Sequence, residues 1–244
     1  MVAALQPALR QGLQALGLSL EDRQVGQLLD YLALLDKWGR VYNLTAVRDP
    51  AAMLTHHLLD SLSVVQPLLR VHPAPGRLLD VGSGAGLPGV VVAICCPDWA
   101  VDCVDAVAKK AAFVQQVALT LGLPRLRGLH ARVESLPGQY PVVSARAFAS
   151  LADLVRVSAS VLAPDGVWMA MKGQHPQVEL DELAELSARA DLAGPAQSAQ
   201  SVRGAVSTHA LPCHPEVFHV EPLWVPGLDA ERCLVWMRRA GGAK

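Results

Sequence analysis

Apolar residues recur at helical spacing through the first third of the chain. Leu5, Leu9, Leu13 and Leu16 fall on one stripe that ends at Gly17, the three-to-four-residue period of an amphipathic helix. Ser19 is a candidate N-cap with Asp22 three residues on, short of the Glu or Gln of a full capping box. Val25, Leu28, Leu29, Leu32, Leu35 and Trp38 form a second stripe that stops at Gly39. A third helix is predicted from Asp49-Pro50, through MLTHHLLDSLSVV, to about Leu69. Pro50 suits its first position, where a missing N–H costs nothing. The proline-rich VHPAPG, Val71 to Gly76, breaks the pattern. It divides an N-terminal helical region, 1–75, from a second unit, 76–244.

After Gly76 the period shortens. LLDVG, VDCVDA, LRGLHARV, PVVSARA, GVWMAMKG and CLVWMRR are short apolar or β-branched runs. Helical stretches at 88–96, 107–122, 150–162 and 176–190 alternate with the first five. The series predicts an α/β fold, a parallel sheet with helices on both faces. A further strand is expected near 205–211. The loop from Pro212 to Glu231 is long and proline-rich and is expected to be irregular.

Composition narrows the class. Of 244 residues, 52% are hydrophobic and 18% charged, which allows a large core and argues against disorder. The longest apolar run, Val90 to Cys96, ends at Pro97, far short of the roughly 20 residues of a membrane span. The start, MVAALQPALRQG, has no basic segment before a long apolar run. A soluble, cytoplasmic monomer without a membrane partner is expected. The net charge of −1 excludes a globally basic nucleic-acid coat but not a local basic face. Five cysteines, an odd number with no C-x-x-C pair, argue against zinc or a disulfide framework, so no metal is expected.

Candidate chemistry centres on LLDVGSGAGLPG, Leu78 to Gly89. Gly84 to Gly89 matches the G-x-G-x-x-G of dinucleotide sites. Gly82-Ser83-Gly84-Ala85-Gly86, led by Asp80, matches the loop that binds S-adenosylmethionine. Both ligands would sit at the first βα turn and use an acid ending the second strand to hold ribose. Asp105 stands about 20 residues on, where that acid is expected. Asp80 separates the two on charge. A carboxylate beside a pyrophosphate is repulsive, whereas one near the ammonium of S-adenosylmethionine is favourable, and loop N–H groups serve the carboxylate.

With these residues in place, the chain resembles the glucose-inhibited division protein B family. YNLTAVRDP, HHLLDSL, DVGSGAGLPG, RVES, SARAFASL and MKG occur in the order seen there, over about residues 20 to 173. The resemblance implies a class I, Rossmann-like methyltransferase with an N-terminal helical region and S-adenosylmethionine as methyl donor. It implies 16S rRNA or the small ribosomal subunit as partner, methylated at N7 of a single guanine in the decoding-region loop. By motif, cofactor contacts fall on Gly82, Leu87, Val133, Glu134 and Arg146. Gly84 and Gly86 shape the loop, and Asp105 holds the ribose.

Guanine N7 chemistry fits. The lone pair of N7 lies outside the aromatic sextet and N7 bears no proton, so neither a covalent nucleophile nor an obligatory base is needed. The Asn/Asp-Pro-Pro-aromatic turn common in exocyclic amine methylation is replaced here by Ser144-Ala145-Arg146-Ala147-Phe148. Catalysis is then positioning and local field. Arg146 and Lys172 end the fourth and fifth strands and are read as binders of RNA phosphate or cofactor carboxylate, against a structural ion pair. Phe148 is a stacking platform for a flipped base or a core residue. Asn43 and His57 line the site or serve the fold; Asn43 and Thr45 could instead cap the next helix, and His57 could pair with Asp60. Three alternatives remain: methylation of another RNA or a small molecule, a nicotinamide-dependent oxidoreductase, and a non-catalytic sensor of S-adenosylmethionine.

Overall fold

The computed structural model of the protein describes residues 2–193 and 211–241. The strand expected near 205–211 lies almost wholly outside the described residues. The N-terminal region is helical: α1 (Gln6–Ala15), α2 (Asp22–Tyr42), α3 (Pro50–Met53), α4 (Asp60–Leu62) and α5 (Val65–Val71). Between α3 and α4, Leu54–Leu59 forms a π-type turn, so three pieces run on as one helix. Asp49 caps it by accepting from the Ala52 N–H at 2.8 Å, with Pro50 first in the helix. Ser19 does not cap α2. Glu21 precedes that helix, and its N–H donates to Gln24 Oε1 at 3.0 Å.

Among the described residues seven strands follow: β1 (Arg77–Val81), β2 (Ala100–Asp105), β3 (Leu126–His130), β4 (Tyr140–Arg146), β5 (Leu162–Lys172), β6 (Pro215–Pro222) and β7 (Cys233–Arg239). Their order is β3-β2-β1-β4-β5-β7-β6. The first five run parallel, and β7 is antiparallel to both β5 and β6. Helices α6 (Gly89–Cys95), α7 (Ala108–Thr120), α8 (Leu151–Ser158) and α9 (Gln177–Ala193) lie among them. The irregular loop expected from Pro212 to Glu231 is corrected by β6. That strand occupies the sheet edge, and its prolines stand at its two ends, where a missing N–H breaks no interior ladder.

Strand residues alternate between two cores because successive side chains point to opposite faces. Leu78, Val101, Cys103, Val142, Met169 and Trp236 join α6, α7 and the N-terminal helices in one cluster. Leu79, Val104, Val143, Trp168, Val235 and Met237 join α8 and α9 in the other. The N-terminal helices therefore share a continuous core with one face of the sheet. Tyr31 on α2 shows how closely: its hydroxyl donates to the Ala85 carbonyl of the glycine loop at 2.9 Å. Burial pushes its phenol far above the ordinary range, so that donor proton is retained.

Candidate active site

The carboxyl ends of the parallel strands form a row at the point where β1 lies between β2 and β4. Ligands of open α/β sheets bind at such a reversal of strand order. The loop after β1 carries three glycines with positive φ: Gly82 at 61°, Gly84 at 57° and Gly86 at 86°. A Cβ on Gly86 would meet Val90 Cγ2 at 2.6 Å, and one on Gly82 would meet the Phe148 ring at 3.4 Å. Gly86 is thus required by its fit against α6 and α7, while Gly82 and Gly84 line the cleft above. Gly89 packs α6 against β1 and β2, with Cys103 and Asp80 where its Cβ would be.

Asp80 lies beneath this loop rather than at its mouth. It is fully buried, accepts from the Gly89 N–H at 3.0 Å and from the Ser144 hydroxyl at 2.9 Å. Burial pushes its carboxyl up to about 6, against the lowering effect of the Gly89 N–H, the Ser144 hydroxyl and Arg146. Asp80 ties loop, helix and β4 together from below, so its carboxylate acts on a ligand through the loop it supports. The sequence places it at the tip of β1 but carries no signal that its side chain turns into the core.

Asp105 ends β2 as expected. One of its oxygens accepts from the Gly84 N–H at 3.1 Å, the other from the Val107 N–H at 2.8 Å, and Lys110 Nζ stands 3.6 Å away. A carboxylate has about four acceptor sites, so capacity remains for ribose hydroxyls. Val133 and Glu134 form the short turn after β3, Val133 buried and Glu134 exposed. They stand two strands from the glycine loop, beyond Asp105. Loop, Asp105 and Val133–Glu134 follow one another along the ends of β1, β2 and β3, a row that could hold an extended nucleoside ligand. That arrangement, with two glycines in the cleft-facing loop, fits S-adenosylmethionine.

A cleft of about 530 Å³ opens over the ends of β1, β4 and β5. Gly82, Gly84, Leu87, Arg146, Lys172 and His57 line it, with Thr45, Asp60, Met171 and Arg232. Its floor is the loop, and its far wall is the π-turned helix of the N-terminal region. Asp60, buried at 3% exposure, is central. It holds Arg146 at 3.0 Å on one oxygen and Arg232 at 2.9 Å on the other. Arg146 also donates to the His56 carbonyl at 3.2 Å. A single carboxylate thus orients two cations from β4 and from just before β7, leaving the group net positive. Arg232 escaped the sequence reading because it lies 172 positions from its partner.

Ala147 follows Arg146 with φ at 52°, a conformation unusual for a residue with a Cβ. It reverses the chain after β4, so that Arg146 faces the cleft while Phe148 returns over Gly82. Lys172 is a paired cation: Glu179 accepts from it at 2.7 Å, and the Phe148 carbonyl lies at 3.4 Å. It lines the cleft and anchors the Phe148 turn.

His57 does not pair with Asp60. Its Nε2 lies 2.6 Å from Thr45 Oγ1. Burial, then the charge of Arg146, lowers its pKa below the ordinary imidazole value, so it is neutral at neutral pH. Asn43 does not line the cleft. It ends α2 in the left-handed conformation, φ 53°, a position asparagine tolerates as a C-cap. Its Oδ1 accepts from Arg48 at 3.2 Å. The proposed site role of Asn43 is corrected to a turn that delivers Leu44 and Thr45 to the cleft wall.

Among the described residues no group of three His, Cys, Asp or Glu side chains has metal-ligating geometry, and no helix is long and apolar enough to cross a membrane. Residues 24–200 match the family model of rRNA small subunit methyltransferase G. The chain belongs to that family. It is 56% identical to ribosomal RNA small subunit methyltransferase G of Albidiferax ferrireducens, over 97% of this chain and 98% of that one. It is 57% identical to the protein of that name from Acidovorax sp. strain JS42, over 96% of each. Among solved structures, magnesium protoporphyrin IX methyltransferase from Synechocystis PCC 6803 is 15% identical, with a TM-score of 0.52, over 90% of this chain and 98% of that chain. This last likeness shows the fold, that of class I methyltransferases.

Proposed function

We propose that this member of the family transfers the methyl group of S-adenosylmethionine to N7 of a single guanine in small-subunit rRNA, in the cytoplasm. The observation that carries the reading is the cleft itself, where the glycine loop faces Arg146 and Arg232 across the buried Asp60 carboxylate.

The bound cofactor supplies a methyl group made electrophilic by a sulfonium. The chain's task is to align it with the base. Asp105 would hold the ribose and the Val133–Glu134 turn the adenine, while the Ser83, Gly84, Gly86 and Leu87 N–H groups are engaged within the fold and shape the loop. Arg146 faces both the loop and the substrate side, so it serves the cofactor carboxylate or the RNA phosphate. Arg232 offers donors to phosphate or to guanine O6. One constraint shapes the pose: an arginine fork on O6 and N7 would block the reacting atom, so the base must be held elsewhere. Phe148, half-buried over Gly82 and next to the cleft-lining Ala147, is the candidate stacking face. No proton leaves N7, and neutral His57 and paired Lys172 are not required as bases. Their work is to fix Thr45 and the Phe148 turn.

The test is transfer of label from S-adenosylmethionine to small subunits that lack the modification. Label should enter RNA at one guanine and make that site sensitive to borohydride–aniline cleavage. Label in protein, or in RNA without induced cleavage, would reject the assignment. Tight nicotinamide-dinucleotide binding without S-adenosylmethionine binding would reject it more broadly.

A further inference from the structure

A hollow beside the cleft is built mainly by the chain between β6 and β7. It measures about 850 Å³ and is lined by Trp224, Leu223, His175, Asp229 and Glu231, with Gly173 and Arg232 shared with the cleft. The two spaces are therefore neighbours across Arg232.

Trp224 is the outstanding residue there. Its neighbours Leu223 and Val225 are buried at 8% and 3%, while Trp224 itself is 65% exposed. The Leu223 N–H also donates to the Arg232 carbonyl at 2.8 Å. The indole is thus held outward by a backbone pinned on both sides, next to the arginine that lines the cleft. An exposed aromatic surface on a fixed support marks a binding position. An indole face beside an RNA-methylating cleft suits a nucleobase, which stacks on aromatics regardless of sequence. The charge on the rim decides between base and backbone. Asp229 and Glu231 are exposed there and would repel phosphate, but they accept hydrogen bonds from exocyclic amines.

We propose that Trp224 and the hollow between β6 and β7 form a second nucleobase subsite, which stacks an unpaired base flanking the target guanine while Arg232 holds the phosphate between them. The subsite rests on the reading of the cleft as an RNA methylation site.

The test compares wild type, Trp224→Ala and Trp224→Phe on undermodified small subunits, with S-adenosylmethionine affinity measured in parallel. Trp224→Ala should raise KM for the subunit about tenfold, the effect of one lost stacking contact, with kcat and cofactor affinity nearly unchanged. Trp224→Phe should recover most of the loss, because a phenyl face also stacks. An unchanged KM in Trp224→Ala would overturn the subsite while leaving the methyltransferase reading intact. So would equal losses in the two variants, or a parallel fall in cofactor affinity. No RNA methylation by wild type would overturn the underlying reading and the subsite with it.

Discussion

Two buried aspartates each gather two arginines, at opposite ends of the sheet, and they do different work. Asp102 in β2 accepts from Arg127 at 2.6 and 2.7 Å, from Arg77 at 3.3 Å and from the Tyr140 hydroxyl at 2.7 Å. Burial pushes its carboxyl up, but Arg127, Tyr140 and Arg77 outweigh that and hold it below its ordinary value. Its arginines come from the adjacent strands β1 and β3 and Tyr140 from β4, one strand further on, so the cluster fastens β1, β2, β3 and β4 near their amino ends. Asp60 faces the carboxyl ends instead. Its arginines come from distant parts of the chain, its carboxylate accepts from no hydroxyl among the described residues, and both arginines line the cleft. A saturated ion cluster is a fastener; one with donors turned toward a cleft is a binding device. Sequence alone shows only an acid and some arginines in each case.

The comparison is broken most directly by mutation. Asp102→Ala should lower stability by about 3 kcal/mol, since Tyr140 and both arginines lose their acceptor. Urea unfolding measures it, and the folded fraction should keep its methyl-transfer rate. Asp60→Asn should do the reverse. It removes the charge that orients Arg146 and Arg232, and a small misplacement of such groups costs about 10²-fold in rate. Activity should fall by that order, with the melting midpoint changing far less than in Asp102→Ala. Equal effects of the two substitutions on rate would erase the distinction.

Asp80 sharpens it further, as a buried acid with no arginine in hydrogen-bond contact. Its folded pKa, raised to about 6, exceeds its unfolded value. The native state therefore binds the proton more tightly between about pH 4 and 6, and stability from protonated Asp80 is lost as pH rises through 6. Asp80→Asn should remove this slope, about 1 kcal/mol per pH unit, from unfolding curves recorded across that window. The smallest effect is expected for Tyr31→Phe. Losing the hydroxyl bond to the Ala85 carbonyl should cost about 1 kcal/mol of stability and weaken S-adenosylmethionine binding severalfold in calorimetry, because the loop loses its support from α2.

Elements written in local periodicity were legible in the sequence. The leucine stripes of α1 and α2, the Asp49-Pro50 start and five alternating strands all follow from side-chain period and turn chemistry. β6 was not, because Pro215 and Pro222 read as loop when the edge position that tolerates them is a property of the assembled sheet. The same limit governs the site. Gly82, Gly86 and Asp105 can be nominated from sequence because their spacing is local, and the structure places them at the ends of β1 and β2. The burial of Asp80 is not legible in the sequence, because burial is a three-dimensional fact. Asn43 was placed near the cleft because its motif is contiguous with Thr45, which does line it. Arg232 had no local signal; Asp60, 172 positions away, gives it meaning.

The most direct test of the account treats undermodified small subunits with wild type, Asp60→Asn and Asp102→Ala, then maps the methyl group by mass spectrometry of RNase fragments. The account predicts one methyl on one fragment, as 7-methylguanosine, from wild type and from folded Asp102→Ala, and almost none from Asp60→Asn. A methyl on an amine, a ribose or several fragments, or full methylation by Asp60→Asn, would contradict it.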